Sequence, residues 1–387
     1  MNRGNLMQIF QVPTKILMGE GVTGEIGTEA KIIGATVVLV VTDEGVRKAG
    51  LLERVILSLE DAGIKVDIFD EVMPDPTVTL VEKGAAIIRQ KGHDLIIAVG
   101  GGSSIDAAKG VSVMATNEGS ICDFEGVDKF ANEPLPIFAV PTTAGTGSEV
   151  TFGTVLTDTD RNYKFLVYGN RLAPRVAFLD PIMVSTAPPS VVIPTGMDAL
   201  THAIESYISL RATPQTEALA ISAIKLIAAN LRQAVANSGN LEAVGNMLIA
   251  ANLAGIAFGN SRLGIVHALA LPLGAFFHVP HGVANTILLP YGLEFNLIAA
   301  PQKYVDIANA MGEITIGLSL MDAAEKTIES VKKLASDIGA PKNLKSLGVE
   351  ADMIPQMAAD AMKSSHIPAN PRKISQIDVE GLYRRAL

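Results

Sequence analysis

Short apolar runs that alternate with longer helical stretches are the feature that most constrains the first half of this chain. Residues 94–99 (DLIIAV) are apolar almost throughout, as expected of a strand buried on both faces. Stretches such as 77–90 are amphipathic and long enough to be crossover helices. The pattern therefore predicts a parallel sheet with helices on both faces. The predicted strands are 36–42, 65–69, 94–99 and 136–140, and the predicted helices are 46–62, 77–90 and 103–114.

The second half of the chain has a different pattern of apolar residues. From about residue 190, strand-like runs nearly vanish and helical patterns rich in Ala, Leu and Ile follow one another. Since 387 residues exceed what one typical core supports, we predict two domains. These are an α/β dinucleotide-binding domain over residues 1–186 and an all-helical metal-binding and substrate domain over 187–387. The helices predicted in the second half are 198–209, 215–230, 241–258, 301–311 and 321–338.

Charge and cysteine content narrow the class of protein. A formal charge of −9 argues against nucleic acid or an anionic membrane as partner. The first fifteen residues lack the apolar core of a signal peptide, and no uninterrupted apolar run reaches the length of a membrane helix. Cys122 is the single cysteine, which fits a reducing compartment and no structural disulfide. A cytoplasmic protein is expected.

Four potential metal ligands lie within one stretch of the second half. Asp198 and His202 are four residues apart, so on a helix they share a face. His267 lies in an apolar helical pattern, and His281 follows a proline and reads as a loop or helix end. A single buried histidine is usually a hydrogen-bonded core residue, but three with a carboxylate suit Fe²⁺ or Zn²⁺. The stretch therefore predicts a metal site.

Two polar loops follow predicted strands of the first half. Residues 100–110 (GGGSSIDAAKG) bring glycines to a helix N-terminus, where backbone N–H groups can bind a pyrophosphate. Residues 141–151 (PTTAGTGSEVT) bring hydroxyl groups to a second turn. Each loop alone is also compatible with an ordinary turn, but two at neighbouring strand ends favour a shared nucleotide crevice. We expect Asp106 to be able to face this crevice and Lys109 to be a solvated surface charge.

Asp43 directly follows the first apolar strand and has two readings. Its carboxylate could accept hydrogen bonds from an adenosine ribose, or it could cap the following helix. His93 and His366 have no metal-type neighbours in the sequence and are expected at the surface. A metal site and a dinucleotide site in one chain indicate a metal-dependent dehydrogenase.

The motifs resemble those of the iron-containing (group III) alcohol dehydrogenases, the family that includes lactaldehyde reductases and 1,3-propanediol dehydrogenases. The resemblance runs from FQVPTKILMGEG near the start through both loops to GMDALTHAIESY and GIVHALALPLGAFFHVPHGVANTILLP. It implies an N-terminal α/β domain, an all-helical C-terminal domain and a metal in the cleft between them, as in the dehydroquinate synthase-like architecture. It places the metal on Asp198, His202, His267 and His281, and implies Fe²⁺, with Zn²⁺ as an alternative, and NAD.

The resemblance also implies a set of cofactor contacts. The candidate cofactor contacts include Thr151 at the end of the second loop and Asp75, which stands where the family usually has asparagine before proline. The full set is Asp43, Asp75, Gly101, Gly102, Ser103, Thr142, Thr143, Thr146, Thr151 and Lys164. The aspartate at position 75 adds a carboxylate near the cofactor and is a departure from the family pattern.

A second departure concerns proton transfer. Many family members have HxxxH where this chain has His267 followed by Leu271, and leucine cannot carry a proton. Water and the cofactor ribose, or His278, would then take over that task. The predicted catalytic residues are His267, His281 and His278. The predicted pocket is apolar and is formed by Phe152, Phe258, Leu263 and Leu271, each of which is also compatible with simple core packing.

These features predict an NAD-linked alcohol dehydrogenase and aldehyde reductase that transfers a hydride reversibly between NAD and a small aliphatic primary alcohol. Alternatives within the family are 1,3-propanediol, lactaldehyde or glycerol dehydrogenase and hydroxyacid–oxoacid transhydrogenase. Two more remote alternatives are a lyase of the dehydroquinate synthase type and a non-enzymatic NAD- or metal-binding protein. We expect a small-molecule substrate, no nucleic acid or membrane partner, and a homodimer or larger homo-oligomer.

Overall fold

A computed structural model describes residues 8–161 and 163–387. The expectation about a signal peptide therefore falls partly on residues outside the described part of the chain. The first half contains a six-stranded sheet in which every pair of neighbours is parallel, with the order β1-β9-β6-β4-β2-β3. Its strands are β1 (Lys15–Met18), β2 (Val37–Asp43), β3 (Lys65–Val72), β4 (Leu95–Gly100), β6 (Ile137–Pro141) and β9 (Val176–Leu179).

Helices cover both faces of this sheet, as predicted. Alternate residues of β2 enter different cores: Val38 and Val40 pack on one face, and Leu39 and Val41 on the other. Such strands are apolar throughout because both of their faces are buried. The helices are α1 (Ile26–Ile32) and α3 (Leu52–Asp61) on the first face, α4 (Val78–Lys91) and α5 (Gly102–Thr116) on the second, and the short α2 (Glu44–Lys48) after β2.

Several details of the first half differ from the sequence prediction, since β1 and β9 were not among the predicted strands. The helix expected over residues 46–62 is split into α2 and α3, because Gly50 adopts a left-handed conformation (φ 71°) that ends the first helix. A separate three-stranded sheet, β5-β8-β7, was not predicted. It consists of β5 (Gly126–Val127), β7 (Gly153–Asp158) and β8 (Tyr163–Tyr168), and β7 and β8 come after the threonine-rich loop of residues 141–151.

The second half is helical, and no strand follows β9 among the described residues. Its helices share one large apolar core. The first of them, α6, begins at Pro189 rather than at the predicted residue 198, because a proline is well tolerated at the first helical position. The helices are α6 (Pro189–Ile208), α7 (Pro214–Ala236), α8 (Leu241–Ser261), α9 (Ile265–Phe277), α10 (His281–Asn296), α11 (Pro301–Ala310), α12 (Leu320–Asp337), α13 (Ile354–Ala361) and α14 (Gln376–Ala386).

Two of these helices are apolar enough to cross a membrane by length and composition alone. They are α7 and α8, with mean hydropathies of 1.3 and 1.5. Neither is an uninterrupted apolar run, and both pack side chains such as Ile224 and Leu248 into the helical core. The apolar window of α8 is 61% buried and that of α7 is 33% buried, so burial accounts for the composition of α8 more fully than for that of α7.

Candidate metal centre and nucleotide cleft

Three helices bring the four potential metal ligands together. Asp198 and His202 project from one face of α6, His267 lies in the first turn of α9, and His281 is the first residue of α10. One ligand atom from each residue lies within 4.8 Å of the others. Asp198, His202 and His267 are buried, whereas the His281 side chain is 44% exposed, so the group is open to solvent on one side.

The ring planes of the histidines pack against one another. His202 stacks on His267 with centroids 4.5 Å apart, and on Phe258 at 4.4 Å. Asp198 Oδ1 lies 3.7 Å from His267 Nε2 and 3.8 Å from His281 Nε2. These separations are too long for hydrogen bonds, but they leave the potential metal-ligand atoms facing a common point.

The electrostatics of the group suit a divalent cation. Burial alone would raise the pKa of Asp198, but the three histidines hold that pKa well below its ordinary range. Burial lowers the pKa of His202 to about 4, with Asp198 opposing. Burial also acts to lower the pKa of His267, but the nearby carboxylates of Asp198 and Glu205 raise it to about 9. An ionised carboxylate among imidazoles attracts positive charge, and a cation would displace the proton of His267.

Glu205 holds His267 in place, and sequence reasoning missed it. Its buried carboxylate accepts hydrogen bonds from His267 Nδ1 at 2.7 Å and from the backbone N–H of Val266 at 2.7 Å and Gly264 at 3.1 Å. Glu205, which lies on α6, thus caps α9 and leaves Nε2 of His267 as the ring nitrogen that can bind a metal. The signal was available in the sequence, because Glu205 lies three residues after His202 and shares its helix face.

Asn285 is a second neighbour of the metal ligands. Its amide nitrogen lies 2.6 Å from Asp198 Oδ1 and 3.1 Å from Nε2 of both His267 and His281. Its amide oxygen is buried and has no hydrogen-bond partner. Nδ1 of the ligand His202 is likewise buried and without a hydrogen-bond partner among the described residues. Polar groups therefore surround the point where the ligand atoms converge, and two of them are unsatisfied, which fits a site built for an ion.

The two polar loops meet at the carboxyl end of the parallel sheet. β4 and β6 are adjacent, and the Thr142 N–H donates to Gly100 O at 3.0 Å. Gly102 requires the absence of a side chain, because a Cβ there would lie 2.7 Å from Thr146 Cγ2. No side chain caps α5 at Gly101, so the N–H groups of its first turn, which includes Ser103, are free for a ligand. Thr143 lies against Gly101 at the same edge.

Asp43 performs the capping role that the sequence left open. Its Oδ1 accepts a hydrogen bond from the Val46 N–H at 3.0 Å, and its Oδ2 accepts one from Ser104 Oγ at 3.2 Å. The side chain therefore also reaches the first turn of α5. Because a carboxylate has about four acceptor positions, the cap leaves room for a ribose contact.

Lys164 and Asp75 form an ion pair of 2.6 Å beside the metal ligands. Lys164 extends from β8 towards the second half, since a Cβ on Gly274 of α9 would lie 3.4 Å from its Nζ. Asp75 has a left-handed backbone (φ 58°), a conformation that asparagine also tolerates. The carboxylate introduced at position 75 is therefore partnered by Lys164.

Three expectations about isolated charged or histidine residues were wrong. Lys109 is completely buried rather than solvated, because acceptors from the end of the threonine-rich loop and the start of β7 surround it. His93 is 4% exposed and pairs with Asp67 at 3.0 Å. His366 is partly buried and packs edge-on against His267 with centroids 6.2 Å apart, so it adjoins the metal ligands. Burial and the neighbouring His267 lower the pKa of His366 to about 3.

The predicted pocket residues differ in position. Phe258 stacks on His202, and Leu271 lies one helical turn after His267 and is 37% exposed. Phe152 and Leu263 are buried, and Phe152 packs on Tyr168 with centroids 6.0 Å apart.

His278 is not part of the histidine group. It is an exposed residue with a left-handed backbone (φ 53°) that ends α9. The Thr151 hydroxyl accepts a hydrogen bond from Lys109 at 3.1 Å.

A nucleotide-type crevice on a parallel sheet, next to an aspartate and three histidines on a helical domain, defines a metal- and nucleotide-dependent oxidoreductase. Family models described as "Iron-containing alcohol dehydrogenase" and "Fe-containing alcohol dehydrogenase family, C-terminal" match residues 13–181 and 192–387, respectively. The chain therefore belongs to the iron-containing alcohol dehydrogenase family, and it is an oxidoreductase.

Individual relatives cover nearly the whole chain. The 1,3-propanediol dehydrogenase of Klebsiella pneumoniae is 45% identical over 379 residues, which are 97% of this chain and 98% of that protein. The NAD-dependent methanol dehydrogenase of Bacillus methanolicus is 38% identical over 381 residues, 98% of this chain and 100% of that protein. A crystal structure of 1,3-propanediol oxidoreductase has a TM-score of 0.97 at 44% identity and covers 99% of this chain and 100% of that chain.

Proposed function

We propose that this protein is an NAD-linked, metal-dependent alcohol dehydrogenase and aldehyde reductase for small aliphatic primary alcohols. The observation that carries the proposal is the meeting of the metal ligands with the threonine loop. The backbone of Gly145 lies against His202, and a Cβ on Gly145 would lie 2.7 Å from Thr195 of α6. A substrate beside the metal ligands and a nicotinamide beside the loop would therefore be neighbours.

In this proposal Asp198, His202, His267 and His281 hold Fe²⁺ or Zn²⁺. When bound, such an ion supplies Lewis acidity that favours loss of a hydroxyl proton. Glu205 orients His267, and Asn285 donates a hydrogen bond to Asp198, so both keep the ligands in position before an ion arrives. The exposed side of His281 is the side from which a substrate enters.

The residues along the edge where the two loops meet would hold the cofactor. The free N–H groups at the start of α5 would bind the pyrophosphate, Asp43 would accept hydrogen bonds from the adenosine ribose, and Lys164 would contact the nicotinamide half. When bound, NAD would supply the hydride acceptor for alcohol oxidation. The remaining proposed contacts are Gly101, Gly102, Ser103, Thr142, Thr143, Thr146 and Asp75.

Phe258 and Leu271 are proposed to form the apolar wall of the substrate pocket, with Phe152 and Leu263 packed behind. Leucine at position 271 leaves no imidazole there, and His278 is not among the residues whose ligand atoms converge. We therefore propose that water on the exposed side of His281 takes the substrate proton. The names of the relatives make methanol and 1,3-propanediol the nearest alternative substrates.

A spectrophotometric panel of alcohols and aldehydes, run after reconstitution with Fe²⁺ or Zn²⁺, tests this function. We expect butanol to exceed glycerol in kcat/KM, because burying an unpaired hydroxyl against Phe258 and Leu271 costs about 1–3 kcal/mol. A Leu271→His variant should reduce the difference in kcat/KM between butanol and glycerol. Glycerol outperforming butanol in the wild type would contradict the pocket assignment, and no turnover of any alcohol would contradict the function.

Asp43 should make the enzyme prefer NAD to NADP. Its carboxylate repels a 2′-phosphate, so Asp43→Gly is expected to reduce the NAD/NADP ratio of kcat/KM about tenfold, which corresponds to about 1.4 kcal/mol. Asp94→Asn is the matched control, because within residues 8–161 and 163–387 this side-chain carboxylate accepts hydrogen bonds only from Thr36 and Val37. A wild type that prefers NADP would leave Asp43 as a helix cap alone.

We also propose a cytoplasmic homo-oligomer. The single cysteine supports a reducing compartment. A run of exposed apolar side chains supports self-association, since Ile314 is 81% and Ile316 is 93% exposed. Light scattering should therefore give a mass above the 40.6 kDa of one chain, and a monomer would contradict this assignment.

A further inference from the structure

Lys109 is a fully buried lysine whose hydrogen bonds all go to one segment. It lies on α5, the helix whose N-terminus faces the nucleotide crevice, and none of its side chain is exposed. An ammonium group has three N–H donors, and each has an acceptor here. The acceptors are Ser148 Oγ at 3.0 Å, Thr151 Oγ1 at 3.1 Å and Gly153 O at 2.9 Å.

Asp106, one turn earlier on α5, binds the same segment. Its Oδ1 accepts a hydrogen bond from Ser148 Oγ at 2.6 Å, and its Oδ2 accepts one from the Val155 N–H at 3.0 Å. Its backbone carbonyl accepts from Thr154 Oγ1 at 2.8 Å. Residues 148–155, which comprise the end of the threonine loop and the start of β7, are thus joined to α5 along their length.

The opposite side of this segment contacts the helical domain. Glu149 accepts a hydrogen bond from Asn252 of α8 at 3.0 Å, and both side chains are buried. A Cβ on Gly147 would lie 2.6 Å from the Cα of Gly255 on the same helix. The end of the threonine loop is therefore held between α5 and α8.

Charge balance makes Lys109 necessary to this arrangement. Burial raises the pKa of both Asp106 and Glu149, and the charge of Lys109 opposes that effect. Burial lowers the pKa of Lys109 to about 8, while the two carboxylates act to raise it. Removing the ammonium would leave buried acceptors and carboxylates without their cation, and such groups are costly to leave unpaired.

We propose that Lys109 is a positioning residue for cofactor binding, which fixes Ser148 and Thr151 against α5 and thereby holds the threonine loop at the α5 N-terminus. Thr151 acts through Lys109 and not on the cofactor itself. The inference rests on the proposed function, because the threonine loop matters only if it binds the nucleotide. It adds a residue that lies outside the crevice and determines how well the crevice is formed.

Fluorescence titration with NADH at a temperature where all variants are folded tests this role. Lys109→Met should weaken NADH binding about tenfold or more, the loss expected when hydrogen bonds to a charged group disappear. Metal content should stay at the wild-type value, and KM for NAD should rise more than kcat falls. Lys91→Met, at an exposed lysine paired with Asp67 in the same domain, is the control and should bind NADH normally.

A double-mutant cycle distinguishes a Thr151 that acts through Lys109 from a Thr151 that contacts the cofactor directly. Thr151→Val should weaken NADH binding in the wild type but have no further effect in Lys109→Met, because both changes remove the same contact. Additive losses would overturn the assignment of Thr151 and place it on the cofactor. Wild-type NADH affinity in Lys109→Met, even with a lower free energy of unfolding, would overturn the proposal.

Smaller variants keep the test decisive if Lys109→Met does not fold. Ser148→Ala and Thr151→Val each remove one acceptor and leave the charges in place. Weaker NADH binding with unchanged metal content in both would support the proposal, and unchanged NADH binding in both would overturn it. Failure of the wild-type holoenzyme to bind NADH would instead contradict the proposed function, before any variant is compared.

Discussion

Replacing His267 with alanine is expected to strip the metal ion and lower turnover by about 10³-fold or more, since a Lewis acid worth several kcal/mol is lost. His202→Ala should give the same result, because both rings face the point where the four ligand atoms converge. Circular dichroism should change little. Metal analysis of the purified variants, beside the spectrophotometric assay, measures the effect.

His278→Asn is the matched control for these two variants. It also replaces a histidine at an end of α9, and asparagine tolerates the left-handed backbone of that position. Its metal content should equal that of the wild type. If His267→Ala retained stoichiometric metal and normal turnover, the assigned metal centre would be wrong.

Glu205→Gln should weaken metal binding about 10- to 100-fold without removing any ligand. The carboxylate accepts hydrogen bonds from His267 Nδ1 and from the N–H groups at the start of α9. Although burial opposes ionisation, these donors hold the pKa of Glu205 below its ordinary value. The amide of glutamine cannot accept at both of its ends, so the tautomer and orientation of His267 would no longer be fixed. Competition with a chelator measures the affinity.

Asp306→Asn is a suitable comparison for Glu205→Gln. Asp306 also partners a residue of α6, accepting a hydrogen bond from the Tyr207 hydroxyl at 2.9 Å, but it does not contact the ligand group. The metal affinity of the Asp306→Asn variant should match that of the wild type. Equal affinity in Glu205→Gln would show that the hydrogen bond to His267 does not tune the site.

The central strands of the parallel sheet could be predicted because they are apolar on both faces. β4 and β6 were placed within a residue of their observed ends. β9 was missed although its four residues are all buried, because so short an apolar run is an ambiguous signal. β1 and the β7–β8 hairpin were missed because one side of each is exposed or meets polar groups, as the exposed Val155 of β7 shows. Such strands have no continuous apolar run and depend on the partner that pairs with them.

The candidate metal ligands were also evident from the sequence. The spacing of Asp198 and His202 is a local property of a helix, and few other histidines compete with His267 and His281. Family motifs placed the same four residues together. That they converge within 4.8 Å depends on the packing of α6, α9 and α10, which the spacing does not describe.

By itself, the sequence determined the parallel sheet, the helical second half, the two polar loops and the four ligand candidates, because each depends on neighbours a few positions away. Only the tertiary structure decided that Lys109 is buried, that His366 adjoins His267 and that Glu205 caps α9. A lysine is seldom buried unless it is paired, and the acceptors of Lys109 come from residues 39 and 42 positions later in the chain. The physical reason is that burial of a polar group depends on partners distant in sequence, which local patterns do not contain.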